Sequence, residues 1–226
     1  MTANRARRRL WDGYAVVYDF IWDSPVTSAL AGAVAGLVGA ADPVVDLGCG
    51  TGLASAAVTG QVIGVDASPA MLRRAAGRLG RTIQAQAHQT GLPDNAAGGA
   101  VLANLLHVCD QPEAVLAEAL RLVKPGGPVV VTWPAPAATI RSVAQAQRRS
   151  GWPLWRALLA GAAALAVGLA AALLRLPRRT DRQVRRLLEN GGRTDGIAEV
   201  KSLSQTCAAA QCVALLTAPA GPPRDP

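Results

Sequence analysis

The first chemical signal is a run of glycines set between two carboxylates. Residues 44–52 read VVDLGCGTG, so Asp46 and Cys49 stand among Gly48, Gly50 and Gly52, and Asp66 follows fourteen residues after Gly52. Glycines let a backbone turn tightly and approach a nucleotide-like ligand closely. A carboxylate ending the next strand can accept both hydroxyls of a ribose. Glycine spacing alone leaves a nicotinamide site open, but the pattern is GxGxG, whereas the dinucleotide fingerprint is GxGxxG. His107 is the second signal. It lies just beyond a predicted strand, at the sheet edge where ligands of such folds sit, and a near-neutral imidazole suits a general base. The competing reading is that His107 packs against or caps the helix that follows. Cys49, Cys109, Cys207 and Cys212 are scattered without a CxxC pair, and His88 and His107 are the only histidines. Neither a disulfide framework nor a metal site is expected. Cys49 and Cys109 read as small buried residues.

These residues need elements to hold them. Pro43–Leu47 is a short apolar run stopped by glycines, hence a buried strand. Leu53–Val58 reads as a very short helix and Gln61–Val65 as a strand ending at Asp66. Ser68–Leu79 is a helix capped by Ser68 with Pro69 at its first position. Thr82–Gln86, Ala100–Leu105 and Pro128–Trp133 read as strands, and Pro112–Leu122 as a helix. Asp181–Glu189 is a helix ended by Gly191-Gly192, and Ile197–Leu203 and Gln211–Ala218 read as closing strands. Alternating strands and helices predict an α/β fold with a doubly wound, mostly parallel sheet. Ahead of it, Trp11, Tyr14, Tyr18 and Trp22 recur at three- and four-residue spacing on a predicted helix that Ser24-Pro25 breaks.

The motifs resemble one family. DLGCGTG followed by GVDASPAML is similar to the class I, seven-strand S-adenosylmethionine-dependent methyltransferases. Leu92-Pro93-Asp94, Leu105–Val108 and Leu116–Gly127 resemble further segments of that family, and the last two strands fit it. The resemblance implies a seven-stranded Rossmann-like sheet and S-adenosyl-L-methionine as cofactor. It implies that Asp46 neighbours the methionyl amino group, that Gly48, Gly50 and Gly52 admit the cofactor, and that Asp66 holds the ribose. Ala67, Met71 and His88 would lie near the adenine, with Cys49 and Asn104 close by. WDGYAVVYDFIW resembles the first helix of methylases of quinones, lipids and small metabolites, so Tyr14 or Tyr18 would reach the methionine end. Trp11, Tyr14 and Trp22 would line the acceptor side, or simply pack that helix. His107 is the catalytic candidate where the acceptor is a hydroxyl. The chain departs from the family at three places. The helix after the glycine loop is short, His88 stands where an acid usually faces the adenine, and Gly98-Gly99 replaces an FD pair.

Composition sets the bounds. The chain has 226 residues, half of them hydrophobic, which suits one domain with an appendage and excludes wholesale disorder. The formal charge is +8, and all but two of the 23 basic residues are arginines. Ten arginines fall in residues 141–186 against the single acid Asp181. Such a field suits phosphates, anionic membranes or acidic ligands, or no ligand at all if the arginines merely solvate helices. Residues 157–174 (ALLAGAAALAVGLAAALL) are eighteen uncharged positions between Arg156 and Arg175. Three readings stay open for them: a lid over an apolar substrate resting on a membrane, a plain helix packed on the domain or on a second subunit, or a membrane span. The expected organisation is a helical cap at 1–40, a core at 41–136 and 181–220, and a helical insert at 137–180, with a polar helix at its start. The expected activity is methylation of a hydrophobic small molecule, a quinone or a lipid; the alternative is a cofactor-binding relative that does not methylate. No nucleic-acid partner is expected. A homodimer and peripheral membrane contact through 152–179 are open partners, and the basic N-terminus without an apolar run points to the cytoplasm.

Overall fold

The computed structural model describes residues 2–136, 145, 147–149, 151–173, 176–194, 204–206 and 211–219. Seven strands form one sheet: β1 Val44–Leu47, β2 Val62–Asp66, β3 Arg81–Gln84, β4 Gly99–Ala103, β5 Pro128–Pro134, β6 Ser204–Thr206 and β7 Gln211–Thr217. Their order is β3-β2-β1-β4-β5-β7-β6. The first five pair in parallel, and β7 runs antiparallel to both β5 and β6. The expected α/β class is observed. β1 pairs on one side with β2 and on the other with β4, so the chain reverses its winding at β1 and opens a crevice at the strands' carboxyl ends.

The central strands are buried on both faces, which is why they read as unbroken apolar runs rather than alternating ones. Val45, Leu47, Leu102, Val129 and Val131 face helices α4 (Pro112–Leu122) and α6 (Asp181–Thr194). Val44, Val101, Val130 and Val213 face helix α2 (Pro25–Val38) through Leu30, Val34 and Val38. So α2, expected within a cap, is one of the sheet's two flanking layers. Helix α1 (Thr2–Trp22) packs elsewhere, against α3 (Pro69–Ala75) and α5 (Leu154–Leu173).

Caps fall where the sequence places them. Ser24 accepts from the Thr27 amide at 3.3 Å to start α2, and Ser68 accepts from Met71 at 3.2 Å to start α3. Beyond one- or two-residue shifts at strand ends, the boundaries differ in four places. The chain after the glycine loop forms only a 3-10 turn, Leu53–Ser55, and α3 stops at Ala75 before a turn leading to Leu79. α6 continues through Gly191-Gly192 to Thr194, since glycine lowers helix propensity without forbidding it. The sixth strand is Ser204–Thr206, while the predicted Ile197–Leu203 lies outside the described residues, as does most of the polar helix expected at 137–150.

Candidate active site

Every strand-end motif meets at one cavity of about 470 Å³ over the carboxyl edge of the sheet, within the size range of small-molecule sites. Its floor is the glycine loop. Gly48 sits at φ +68, and a Cβ there would come within 2.7 Å of Leu105 Cδ1. The positive φ favours glycine, and a Cβ would have to displace the Leu105 side chain of the turn after β4. Gly50 faces the ring of Tyr18, and its amide donates to Asp66 Oδ2 at 3.0 Å. The Ser68 amide donates to Asp66 Oδ1 at 2.8 Å. Asp66 thus spans the loop and the start of α3, and its carboxylate borders the cavity. Burial raises its pKa, and the amide bonds from Ser68 and Gly50 oppose that rise.

Asp46 sits below the loop rather than at the cavity surface, fully buried where Ser55 donates to Oδ2 at 2.7 Å. Its Oδ1 is buried with no partner. Burial pushes its carboxyl up to about 7, opposed by the Ser55 bond. Gly52 likewise does not line the cavity; a Cβ there would come within 3.0 Å of Leu79 Cγ. Gly48, Cys49, Gly50, Asp66, Ala67, Met71, His88 and Asn104 do line the cavity, as do Trp11, Tyr14, Tyr18, Trp22 and His107. Burial drives the Cys49 thiol upward and Cys109 up to about 11, so neither is a nucleophile at neutral pH. No group of three or more potential metal ligands occurs among the described residues.

The aromatic wall belongs to α1. Tyr14 stacks edge-on against Tyr18 at 5.1 Å and tilts against Trp11 at 5.8 Å, and its hydroxyl accepts from Trp22 Nε1. Burial pushes the Tyr14 phenol up to about 12. What holds this wall in place was not apparent from the motifs. Asp12 accepts from the Ser68 hydroxyl at 2.6 Å, and Asp19 accepts from Arg78 at 3.0 Å, with Arg74 at 3.6 Å. Arg78 also donates to the Thr51 carbonyl at 3.0 Å, tying α1 to the glycine loop. The available signal was spacing: two acids seven apart on an apolar stripe, and two arginines four apart after the Ser-Pro cap.

The opposite wall is the turn after β4. Asn104 sits at φ +53, a conformation Asn tolerates better than most residues, and its Oδ1 is buried without a partner. His107 lies in a turn and does not cap α4, which begins at Pro112. Its Nδ1 is also buried without a partner. Burial first, then the charges of Arg178 and Arg179, lower its pKa to about 4. The imidazole is neutral at physiological pH and a poor base, which favours a hydrogen-bonding role over proton abstraction. Arg179 fixes this turn. Its amide donates to the His107 carbonyl at 2.8 Å, and its guanidinium reaches the carbonyls of Leu106 and Cys109. Gln147 and Leu176, on either side of α5, complete the rim.

The family described as methyltransferase domain matches residues 45–131, the stretch from the glycine loop to β5. No curated protein sequence matches the chain. Among solved structures, a S-adenosylmethionine-dependent methyltransferase of Thermotoga maritima is 18% identical over 95% of this chain and 99% of that one, with a TM-score of 0.63. One from Aquifex aeolicus is 17% identical over 92% and 98%, with a TM-score of 0.61. The N-methyltransferase NodS of Bradyrhizobium japonicum, solved with S-adenosyl-L-homocysteine, is 16% identical over 87% and 89%, with a TM-score of 0.55. At these identities the structures speak to the fold, and the domain match names the chemistry. Residues 45–131 thus carry a methyltransferase domain, set in a chain with the fold of the S-adenosylmethionine-dependent methyltransferases, and S-adenosylmethionine is the cofactor that domain uses.

Proposed function

We propose that this methyltransferase acts on an apolar small molecule held between the α1 aromatics and the turn bearing Asn104 and His107. The observation that carries this reading is continuity. Trp11, Tyr14, Tyr18 and Trp22 border the same cavity as Gly48, Gly50 and Asp66, so an acceptor against the rings shares the space of whatever the glycine loop binds. Large flat rings offer apolar area at little entropic cost.

The residues present fit the cofactor. The bare backbone at Gly48 and Gly50 allows close approach, Asp66 offers carboxylate lone pairs toward the cavity, and Asn104 Oδ1 is an orphaned acceptor awaiting a donor. Asp66 would take the ribose, Ala67, Met71 and His88 the adenine end, and Tyr18 and Asn104 the methionyl end. When bound, the cofactor supplies an electrophilic methyl group on a sulfonium. The chain supplies orientation and exclusion of water, which bring much of the rate gain in such transfers. His107 Nδ1 accepts a hydrogen bond from the acceptor and orients it. A neutral imidazole that binds protons weakly favours acceptors that are nucleophilic unaided, an amine or a stabilised carbanion, over an unactivated hydroxyl.

The test has two stages. Calorimetric titration of S-adenosylhomocysteine should give micromolar binding that Asp66→Ala removes. Transfer of labelled methyl into matched apolar and polar acceptors should then favour the apolar set, with Trp22→Ala raising KM more than it lowers kcat. Equal use of polar acceptors, with no response to Trp22→Ala, would overturn the acceptor reading and leave the cofactor assignment standing.

A further inference from the structure

Helix α5 packs with its apolar sides reversed. Ala157 and Ala160 are buried against α1, with Ala163 and Ala164 beside them. Its large side chains point outward: Leu154, Trp155, Leu158, Leu159, Leu165, Leu169 and Leu173 are all more than half exposed, Leu173 at 85%. Positions 158, 165 and 169 fall on one stripe, with 155, 162 and 173 at its margins. No charged residue interrupts that face. The one charge in the helix, Arg156, turns inward, lying 4.1 Å over the Trp152 ring and 5.9 Å from the Phe20 centroid while donating to the Asp23 carbonyl. Val16 and Phe20, four apart on α1, are themselves exposed. A contiguous exposed apolar face of this kind marks an interaction site.

We propose that the outer face of α5 docks onto an anionic membrane surface, with the helix lying in the plane of the interface. Charge selects this occupant. Exposed arginines flank the helix, Arg148 and Arg149 before it and Arg178, Arg182 and Arg186 after it. Two copies joined through this face would bring those cations together, whereas anionic headgroups neutralise them. Trp155 at one end suits the headgroup level. The orientation follows from packing. At 20 residues the helix is about 30 Å long, enough to cross a bilayer. Its inner face, however, is committed to α1, and Asp12–Ser68 and Asp19–Arg78 lock α1 to the domain. A crossing would strip α5 from the fold; an in-plane helix sinks only its leucines. Gln147 and Leu176 border the cavity from either side of α5, so docking would set the cavity's rim beside the lipid.

The inference stands on the surface and does not depend on the acceptor's identity. The full chain is floated with vesicles of phosphatidylcholine alone and of phosphatidylcholine with phosphatidylglycerol. Wild type should float with the anionic vesicles and bind neutral ones at least about tenfold more weakly. The variant Leu158→Glu/Leu165→Glu/Leu169→Glu should lose flotation and keep S-adenosylhomocysteine affinity, which reports that it is folded. Arg148→Glu/Arg149→Glu should lower binding to anionic vesicles only. Absence of flotation by wild type overturns the proposal, and so does flotation unchanged in the leucine variant. A dimer in sedimentation equilibrium that the leucine variant abolishes, without flotation, would assign the face to a second copy.

Discussion

The glycine floor of the cavity and the α1 wall, with α5 packed against it, are built by opposite rules. On the floor almost every atom has a prescribed neighbour: Gly48 under Leu105, Asp66 between two amides, Asp46 on Ser55. On the wall, α5 packs through alanines and leaves its leucines outside. Where position is set by hydrogen bonds and sub-van-der-Waals clearances, one residue type is tolerated. Where it is set by apolar contact, many are. The floor should therefore fail sharply on single changes and the wall should bend.

The largest effect is expected at Asp66. Replacing it with alanine removes the acceptor of the Gly50 and Ser68 amides and the carboxylate facing the cavity. S-adenosylhomocysteine affinity should fall about a hundredfold, or ~2.7 kcal/mol. Calorimetry on protein whose circular dichroism is unchanged checks this. A loss below about threefold would move the ribose site elsewhere.

Next comes Gly48→Ala. The new methyl meets Leu105 at 2.7 Å in a backbone already at φ +68. Strain and displacement together should cost about 2–4 kcal/mol of unfolding free energy. Gly36→Ala is the control: nothing lies within 4 Å of its Cβ in the exposed interior of α2, and it should gain about 0.5–1 kcal/mol. Urea midpoints measure both.

This contrast also explains what could be read from the chain. The floor was legible because its constraints are local. A glycine at a positive φ, an acid at a strand end and Ser-Pro at a helix start each leave a mark on one or two residues. For Asp46 the strand is legible in the sequence and its depth beneath the loop is not, because burial there depends on how the loop and Ser55 fold over it. The clamps at Asp12 and Asp19 join residues more than fifty positions apart, and nothing local announces a partner at that range. In α5 the run of eighteen uncharged residues was visible, but whether leucines or alanines face inward depends on how closely α1 approaches.

A third test uses pH within the floor and its neighbouring turn. Asp46 has its pKa raised from 3.8 to about 7, so the folded state holds a proton the unfolded state has released. Its contribution is full below pH 3.8 and is lost as pH rises through 7. His107 is lowered from 6.5 to about 4. Its contribution is full above pH 6.5 and is lost as pH falls through 4. Between pH 6.5 and 4 the two oppose each other. Relative to wild type, His107→Gln should gain stability on acidification across that window, and Asp46→Asn should lose it. Urea midpoints at both ends of the window decide. Variants that both track wild type would show that neither group titrates differently on folding.

The smallest effects distinguish the two sides of α5. Ala160 is 2% exposed against α1. Ala160→Leu adds volume at the buried contact between α1 and α5 and should cost about 1–3 kcal/mol. Leu165, five positions on, is 53% exposed. Leu165→Gln removes no buried contact and should change stability by no more than about 0.5 kcal/mol. Its helix propensity is similar, so the backbone adds no penalty. A loss near 2 kcal/mol in dilute monomeric protein would mean that Leu165 is covered by the chain itself. The wall would then be a closed core rather than a surface. With Leu165→Gln neutral and Ala160→Leu costly, the helix is anchored by its small side and free on its large one, which is the asymmetry that the proposed docking onto a membrane surface requires.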